Sequence, residues 1–137
     1  MLFGTPVSSR KDDMKKLDAN NLVLLKGALS SVPVRRSLPN GSDIVQLELT
    51  TRDATGTARS VPIIVHEPFG KDDFTSWDAG TEIVVVGSVV RRFFRSGAGT
   101  ASRTEVVAAR VVPGSRAVRV DRLLDEVAHV VATLDAA

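Results

Sequence analysis

An all-β barrel is the fold class that the sequence predicts, and three observations predict it. From Asn21 onward, Val-, Ile- and Leu-rich runs of strand length are separated by closely spaced clusters of Gly, Pro, Asn and Ser. The 137 residues suit one domain with a modest core, and 43% apolar with 25% charged residues is ordinary for a globular protein. The segments run as three strands, a short helix and two strands, followed by an amphipathic helix.

Residues 1–20 form a polar N-terminal extension, weakly helical after a Ser9 cap. The first strand is expected over 21–29, with Leu22, Val23, Leu24 and Leu25, and its Gly27 suits a bulge or a sharp barrel bend. After Pro33, the stretch Pro39-Asn40-Gly41 makes a tight turn, and Ile44, Leu47 and Leu49 carry the second strand. Residues 50–59 read as a polar loop around Gly56. The third strand, 61–66, contains Pro62, which cannot donate to a ladder and so places at least the strand's start at an edge or bulge.

Between Lys71 and Ala79, Phe74 and Trp77 stand at i, i+3 on one face of a short helix that Gly80 ends. Residues 82–94 and 103–112 predict a long hairpin, an exposed arm whose flexible tip is the run Ser96-Gly97-Ala98-Gly99-Thr100-Ala101-Ser102. That order, three strands, a helix and two strands, is the order of a five-stranded OB-fold barrel. The barrel domain is expected over 21–120, with Ala117, Val118 and Val120 extending as another strand. Asp121 then caps a helix over 121–137, in which Leu123, Leu124, Val127, Val130, Val131 and Leu134 share one side.

Composition excludes several classes of function. Without cysteine there are no disulfides, thiolate metal sites or thiol catalysis, and a reducing cytoplasm is the expected compartment. The longest apolar runs fall far short of the roughly 20 residues that cross a bilayer, so no membrane association is expected. Only His66 and His129 offer a base near neutral pH, neither at zinc spacing, and no glycine-rich phosphate loop precedes a helix. The chain is therefore expected to be a binding module without catalytic residues, metal or cofactor. The net charge of +2 is unevenly spread: residues 87–119 hold Arg91, Arg92, Arg95, Arg103, Arg110, Arg116 and Arg119 against Glu105 alone. A one-sided basic surface attracts polyanions by counterion release.

Five motifs in order resemble the bacterial single-stranded DNA-binding protein family, especially its actinobacterial members, over 21–122. Asn21-Leu-Val-Leu-Leu-Lys-Gly27-Ala-Leu29 is similar to the family's first strand, and Pro33-Val-Arg-Arg36-Ser-Leu-Pro-Asn-Gly41 to its Pro-x-x-Arg-x-x-x-x-Gly turn. Gly80 and Gly87, with Ile83 and Val85 between, resemble Lys-Gly-x-x-Val-x-Val-x-Gly, although Ala79 replaces the Lys. Glu105-Val-Val-Ala resembles the closing strand, and Val112-Pro-Gly-Ser-Arg-Ala-Val-Arg119 the strand that actinobacterial members add.

The resemblance implies sequence-nonspecific binding of single-stranded DNA in replication, repair or recombination, by a homo-oligomer (tetramer or dimer) without cofactor. It places Phe94, seven residues after Gly87, at a base-stacking tryptophan position. Ser60 and His66 stand at two further stacking positions, residues 51–56 supply no aromatic for the fourth, and Trp77 belongs to the core. Binding is thus expected to be weak and salt-sensitive, since stacking gives about 1–3 kcal/mol per base and cations must supply the rest. The candidate contacts are Phe94, Arg91, Arg92, Arg95 and Arg103 on the arm, with Arg35, Arg36, Lys26, Arg52, Arg59 and His66 around it.

A different reading is an OB-fold protein-interaction or assembly module with little nucleic-acid binding. Val120, Val127 and Leu134 recur every seven residues with Leu124 and Val131 between, which suits either helix packing between chains or a cover over the barrel's own end. A duplex or RNA ligand is the third reading, since OB barrels serve many ligands. The chain ends Val-Val-Ala-Thr-Leu-Asp-Ala-Ala137, without the acidic, Phe-containing tip by which family members recruit repair enzymes, so no such recruitment is expected.

Overall fold

The computed structural model describes residues 15–67, 69 and 74–134. Six strands, β1 (Val23–Leu29), β2 (Val34–Ser37), β3 (Asp43–Arg52), β4 (Ala58–His66), β5 (Glu82–Ser96) and β6 (Gly99–Pro113), precede a helix, α1 (Ala117–Ala132). The sheet order is β1-β5-β6-β4-β3-β2, and β1 also pairs with β3 at Ala28↔Thr50 and Leu29↔Leu49. Five strands therefore close a ring, with β2 appended outside it. All ring pairings are antiparallel except β4 with β6, which join in parallel at Ile63↔Val106 and Ile64↔Val107. Pro62 lies just before that short ladder.

The period-2 alternation of β3 explains the barrel's interior: Val45, Leu47 and Leu49 point inward with Leu29, Ile63, Val65, Ile83, Val85, Val106 and Phe74. Each such side chain contributes about 1.5–3 kcal/mol of burial. A second cluster lies outside the ring, where Val84, Val86 and Val112 meet Leu123 of α1, flanked by Leu17, Leu22, Val120 and Val127. Residues 83–87 are accordingly buried on both faces, which is why that stretch reads as an unbroken apolar run.

Gly27 does not mark a bulge. A Cβ there would lie 2.2 Å from the Thr50 carbonyl oxygen, so the glycine permits the close approach of β1 to β3 that closes the ring. The irregularity falls instead at Val86/Gly87, where a Cβ on Gly87 would lie 2.0 Å from the Val107 carbonyl oxygen.

Several sequence expectations are corrected. Residues 34–37, read as part of a turn, form an edge strand; it is wholly exposed and has no apolar alternation by which to recognise it. The loop expected over 50–59 shrinks to five residues, because β3 runs to Arg52 and β4 begins at Ala58, both ends being polar and solvent-facing. A two-residue turn with Gly97 at φ +56° replaces the seven-residue hairpin tip, and Thr100, Ala101 and Ser102 pair with Arg95, Phe94 and Phe93. Of the helix expected over 71–79, residues 71–73 lie outside the described residues, and Phe74–Ser76 form one 3₁₀ turn. Phe74 and Trp77 do share a side there, edge to face at 5.0 Å, with Trp77 against the core as expected.

The strand expected at 117–120 is instead the first turn of α1, so the segment similar to an added actinobacterial strand, 112–119, ends β6 at Pro113 and turns helical from Ala117. Arg116, not Asp121, occupies the cap position, and no side chain caps the helix. Val120 and Leu123 are what the sheet buries, and their three-residue spacing suits a helix. Of the predicted apolar side, Leu123, Val127 and the added Val120 face the barrel, whereas Leu124, Val131 and Leu134 are exposed. No described helix is long and apolar enough to cross a membrane.

Candidate nucleic-acid interface

Beyond Gly87, β5 loses β1 as a neighbour, and from Thr104 to the tip β6 pairs with β5 alone. The hairpin thus leaves the barrel as a two-stranded arm, about 25 Å long at roughly 3.3 Å per residue. Its base is fastened by Asn21, whose side chain imitates a strand: Nδ2 donates to the Val89 carbonyl at 2.8 Å and the Val89 N–H donates to Oδ1 at 2.9 Å.

Alternation divides the arm's side chains between two faces. On one, Arg91, Phe93 and Arg95 stand opposite Thr104, Ser102 and Thr100. The Arg91 guanidinium lies 5.4 Å above the Phe93 ring while its Nε donates to the Ser102 hydroxyl at 3.1 Å. On the other, Arg92 and Phe94 stand opposite Arg103 and Ala101, and Arg92 lies 5.1 Å above the Phe94 ring. Both arrangements are cation–π contacts at an exposed site, worth about 0.5–1 kcal/mol.

The second face continues onto the outer wall of β3 and β4, where Glu48, Ser60, Ile64 and His66 point away from the core. Here carboxylates meet the arginines. Arg103 Nη2 donates to Glu48 Oε2 at 3.0 Å, Ser60 donates to Glu48 Oε1 at 3.3 Å, and Arg92 Nε donates to Glu105 Oε2 at 3.3 Å. The Arg103–Glu48 pair is open to water, but the Glu105 side chain is 5% exposed. Its Oε1 is buried with no hydrogen-bond partner among the described residues. The basic third of the chain is therefore partly self-neutralised, which its sequence did not show.

The other candidates are not gathered at the arm. Arg35 is held by Asp43 at 3.0 Å and lies 5.0 Å over the Phe69 ring. Ser37 and Arg35 hydrogen-bond the Asp43 carboxyl and hold it below the ordinary carboxylate value. Arg36, opposite Ile44, shares the outer wall with His66 and has no ion-pair partner among the described residues. Arg52 donates to the Gly56 carbonyl at 3.0 Å, and Arg59 lies 4.0 Å from Asp53, so both border the β3–β4 turn. Hydrogen bonds from Thr55 and Thr57 lower the Asp53 carboxyl. Lys26 points outward from β1 opposite Val84, on the wall that α1 partly covers, away from the arm.

That same wall takes up Arg110, which pairs with Glu126 of α1 at 2.8 Å and donates to the Lys15 carbonyl at 2.6 Å. Burial first, and the Arg110 charge second, push the Lys15 ammonium down. Lys15 Nζ donates to the His66 carbonyl at 2.6 Å. Among the described residues no group of acids and histidines is placed to hold a metal.

Three residues that shape the interface, Asn21, Glu48 and Glu105, were not among the sequence candidates. Glu48 is legible afterwards as the polar member of Leu47-Glu48-Leu49, hence outward-facing; its meeting with Arg103 across 55 positions is not.

No family model matches the sequence, and no curated protein does. Among solved structures, the chain is similar to a Plasmodium falciparum SSB in complex with ssDNA. The TM-score is 0.53 at 22% identity, over 64% of this chain and 84% of that one. At that identity the likeness is one of fold: a mostly β, OB-like barrel with a C-terminal helix.

Proposed function

We propose that the chain binds single-stranded DNA without sequence preference, as a divergent, actinobacterial-type relative of the bacterial single-stranded DNA-binding proteins. The observation that carries this reading is the arm: two rings and four arginines lie on its two faces, with no acid between Ser88 and Thr104. Flat faces for bases beside cations for phosphates are what non-specific single-strand binding requires. An OB-like neighbour whose structure contains ssDNA supports the same reading.

Binding is weak and salt-sensitive, because the outer wall offers one ring, Phe94, while Ser60 and His66 stand where the family stacks bases. Two of its arginines are also already paired. The role is that of an accessory binder in replication or repair, in the cytoplasm, as a homo-oligomer.

The test is titration of a labelled oligo-dT, against duplex of equal length, at low and moderate salt. Preference for oligo-dT at low salt is expected. Replacing Phe93 and Phe94 together by Ala weakens binding by about 1–3 kcal/mol per lost stack. Neutralising Arg91 and Arg95, the arm arginines without a carboxylate partner among the described residues, lowers the log–log salt slope by about 1.4, at roughly 0.7 per phosphate contact. Equal affinity for duplex and single strand would sink the reading.

One observation favours the second reading, an assembly module. Val118, Leu124 and Val131, with Leu134 just past its end, leave α1 with exposed apolar side chains although its other edge packs on the barrel. Sedimentation of Leu124→Glu/Val131→Glu beside the wild type decides it: dissociation with unchanged DNA binding assigns the helix to assembly alone.

A further inference from the structure

The two faces of the arm are chemically unequal. Arg91 has a hydroxyl for its partner, and Phe93 is 64% exposed beside it. Arg92 has a buried carboxylate for its partner, and the Phe94 ring lies under its guanidinium.

We propose, resting on the single-strand reading above, that Glu105 locks the Phe94 face, so that the wild-type protein binds DNA chiefly through Arg91, Phe93 and Arg95. Glu105 engages only the Nε of Arg92, yet its charge offsets that of the guanidinium, and a phosphate can move Arg92 off the Phe94 ring only by parting it from Glu105. That would leave a carboxylate buried with neither oxygen partnered, because Oε1 already has none among the described residues. Stranding one member of a buried pair is far more costly than separating an exposed pair. Arg92 therefore stays, and its guanidinium covers the ring on which a base would stack.

Nothing comparable restrains the opposite face. Arg91 can exchange the Ser102 hydroxyl for a phosphate at the cost of one exposed hydrogen bond to an uncharged acceptor, and Arg95 has no ion-pair partner among the described residues. Arg103 is intermediate: Glu48 holds it, but both side chains are about half in water, so this second restraint is weaker. Glu105 and Glu48 are thus positioning residues that set how much of the arm is available, and Phe93 is the stacking residue of the resting protein.

The experiment is oligo-dT titration at low salt with Phe93→Ala and Phe94→Ala, each made in the wild type and in Glu105→Gln. In the wild type, Phe93→Ala is expected to weaken binding about ten-fold and Phe94→Ala less than about three-fold. Glu105→Gln tightens binding about three- to ten-fold, steepens the salt slope by about 0.7, and makes Phe94→Ala as costly as Phe93→Ala.

Glu48→Gln, at a half-exposed position outside the core, tightens binding by a smaller factor, and the gain disappears when Arg103 is Ala. That loss separates release of a held arginine from a general change in charge. Phe94→Ala costing as much as Phe93→Ala in the wild type, or unchanged affinity in a folded Glu105→Gln and in Glu48→Gln, overturns the lock while leaving single-strand binding standing. No binding by any variant overturns both.

Discussion

The lower and upper halves of the β5–β6 hairpin share two strands, joined across the irregularity at Val86/Gly87, yet meet opposite surroundings. Residues 83–87 are buried on both faces, between the barrel interior and α1, whereas residues 91–96 are exposed on both. What separates them is where their neighbours stop: β1 pairs no further than Gly87, and β4 meets β6 only at Val106 and Val107. Stability is concentrated below that line and binding groups above it, so side chains on the arm can be optimised for a ligand at little expense to folding.

The largest effect that tests this division belongs to the lower half. Ile83→Ala removes a fully buried side chain and is expected to cost about 2–5 kcal/mol in a denaturant titration. Phe93→Ala, ten residues further along the same strand, is expected to stay within about 0.5 kcal/mol of the wild type. If Phe93→Ala destabilised the protein as Ile83→Ala does, the arm would be a packed element, and its rings would no longer be available to bases.

A smaller effect sits on the boundary itself. Asn21→Ala removes both hydrogen bonds that hold the Val89 backbone, at about 0.5–1.5 kcal/mol each if nothing replaces them. Amide exchange should then quicken across 88–95 while 83–86 keeps its protection. Faster exchange through the whole strand would mean that the two halves open as one unit.

The division also explains what could be read from sequence. Below the line, pattern and structure agree, because burial on two faces leaves an unbroken Ile83-Val84-Val85-Val86 run and the close approach at Gly87 excludes any Cβ. Above it, no burial constrains composition, so the small residues 96–102 looked like a loop although five of them lie in the strands. The start of α1 was misread for a related reason: Val118 is exposed, so Val118 and Val120 imitate strand alternation until Leu123 supplies the helical period. The arginines were legible as a cluster; their neutralisation was not. Glu105 meets Arg92 through the register of the hairpin, and Glu48 meets Arg103 only because the barrel brings β3 beside the arm.

The smallest expected effect concerns the solvent-facing turns and depends on pH. Asp43 ties β2 to β3 through Ser37 and Arg35, and Asp53 organises the β3–β4 turn through Thr55 and Thr57; both carboxyls are held below their ordinary value in the folded chain. A carboxylate whose folded pKa is lowered contributes its stability in full above the unfolded value, near pH 4, and loses it as pH falls through the folded value. The wild type should therefore lose melting temperature progressively below about pH 4. Asp43→Asn and Asp53→Asn should each flatten that acid limb while lowering the melting temperature slightly at pH 7. Because neither group touches the barrel interior, the Ile83 region should keep its amide protection across the same range. Loss of that protection in step with the acid limb would show that the turns and the core unfold together.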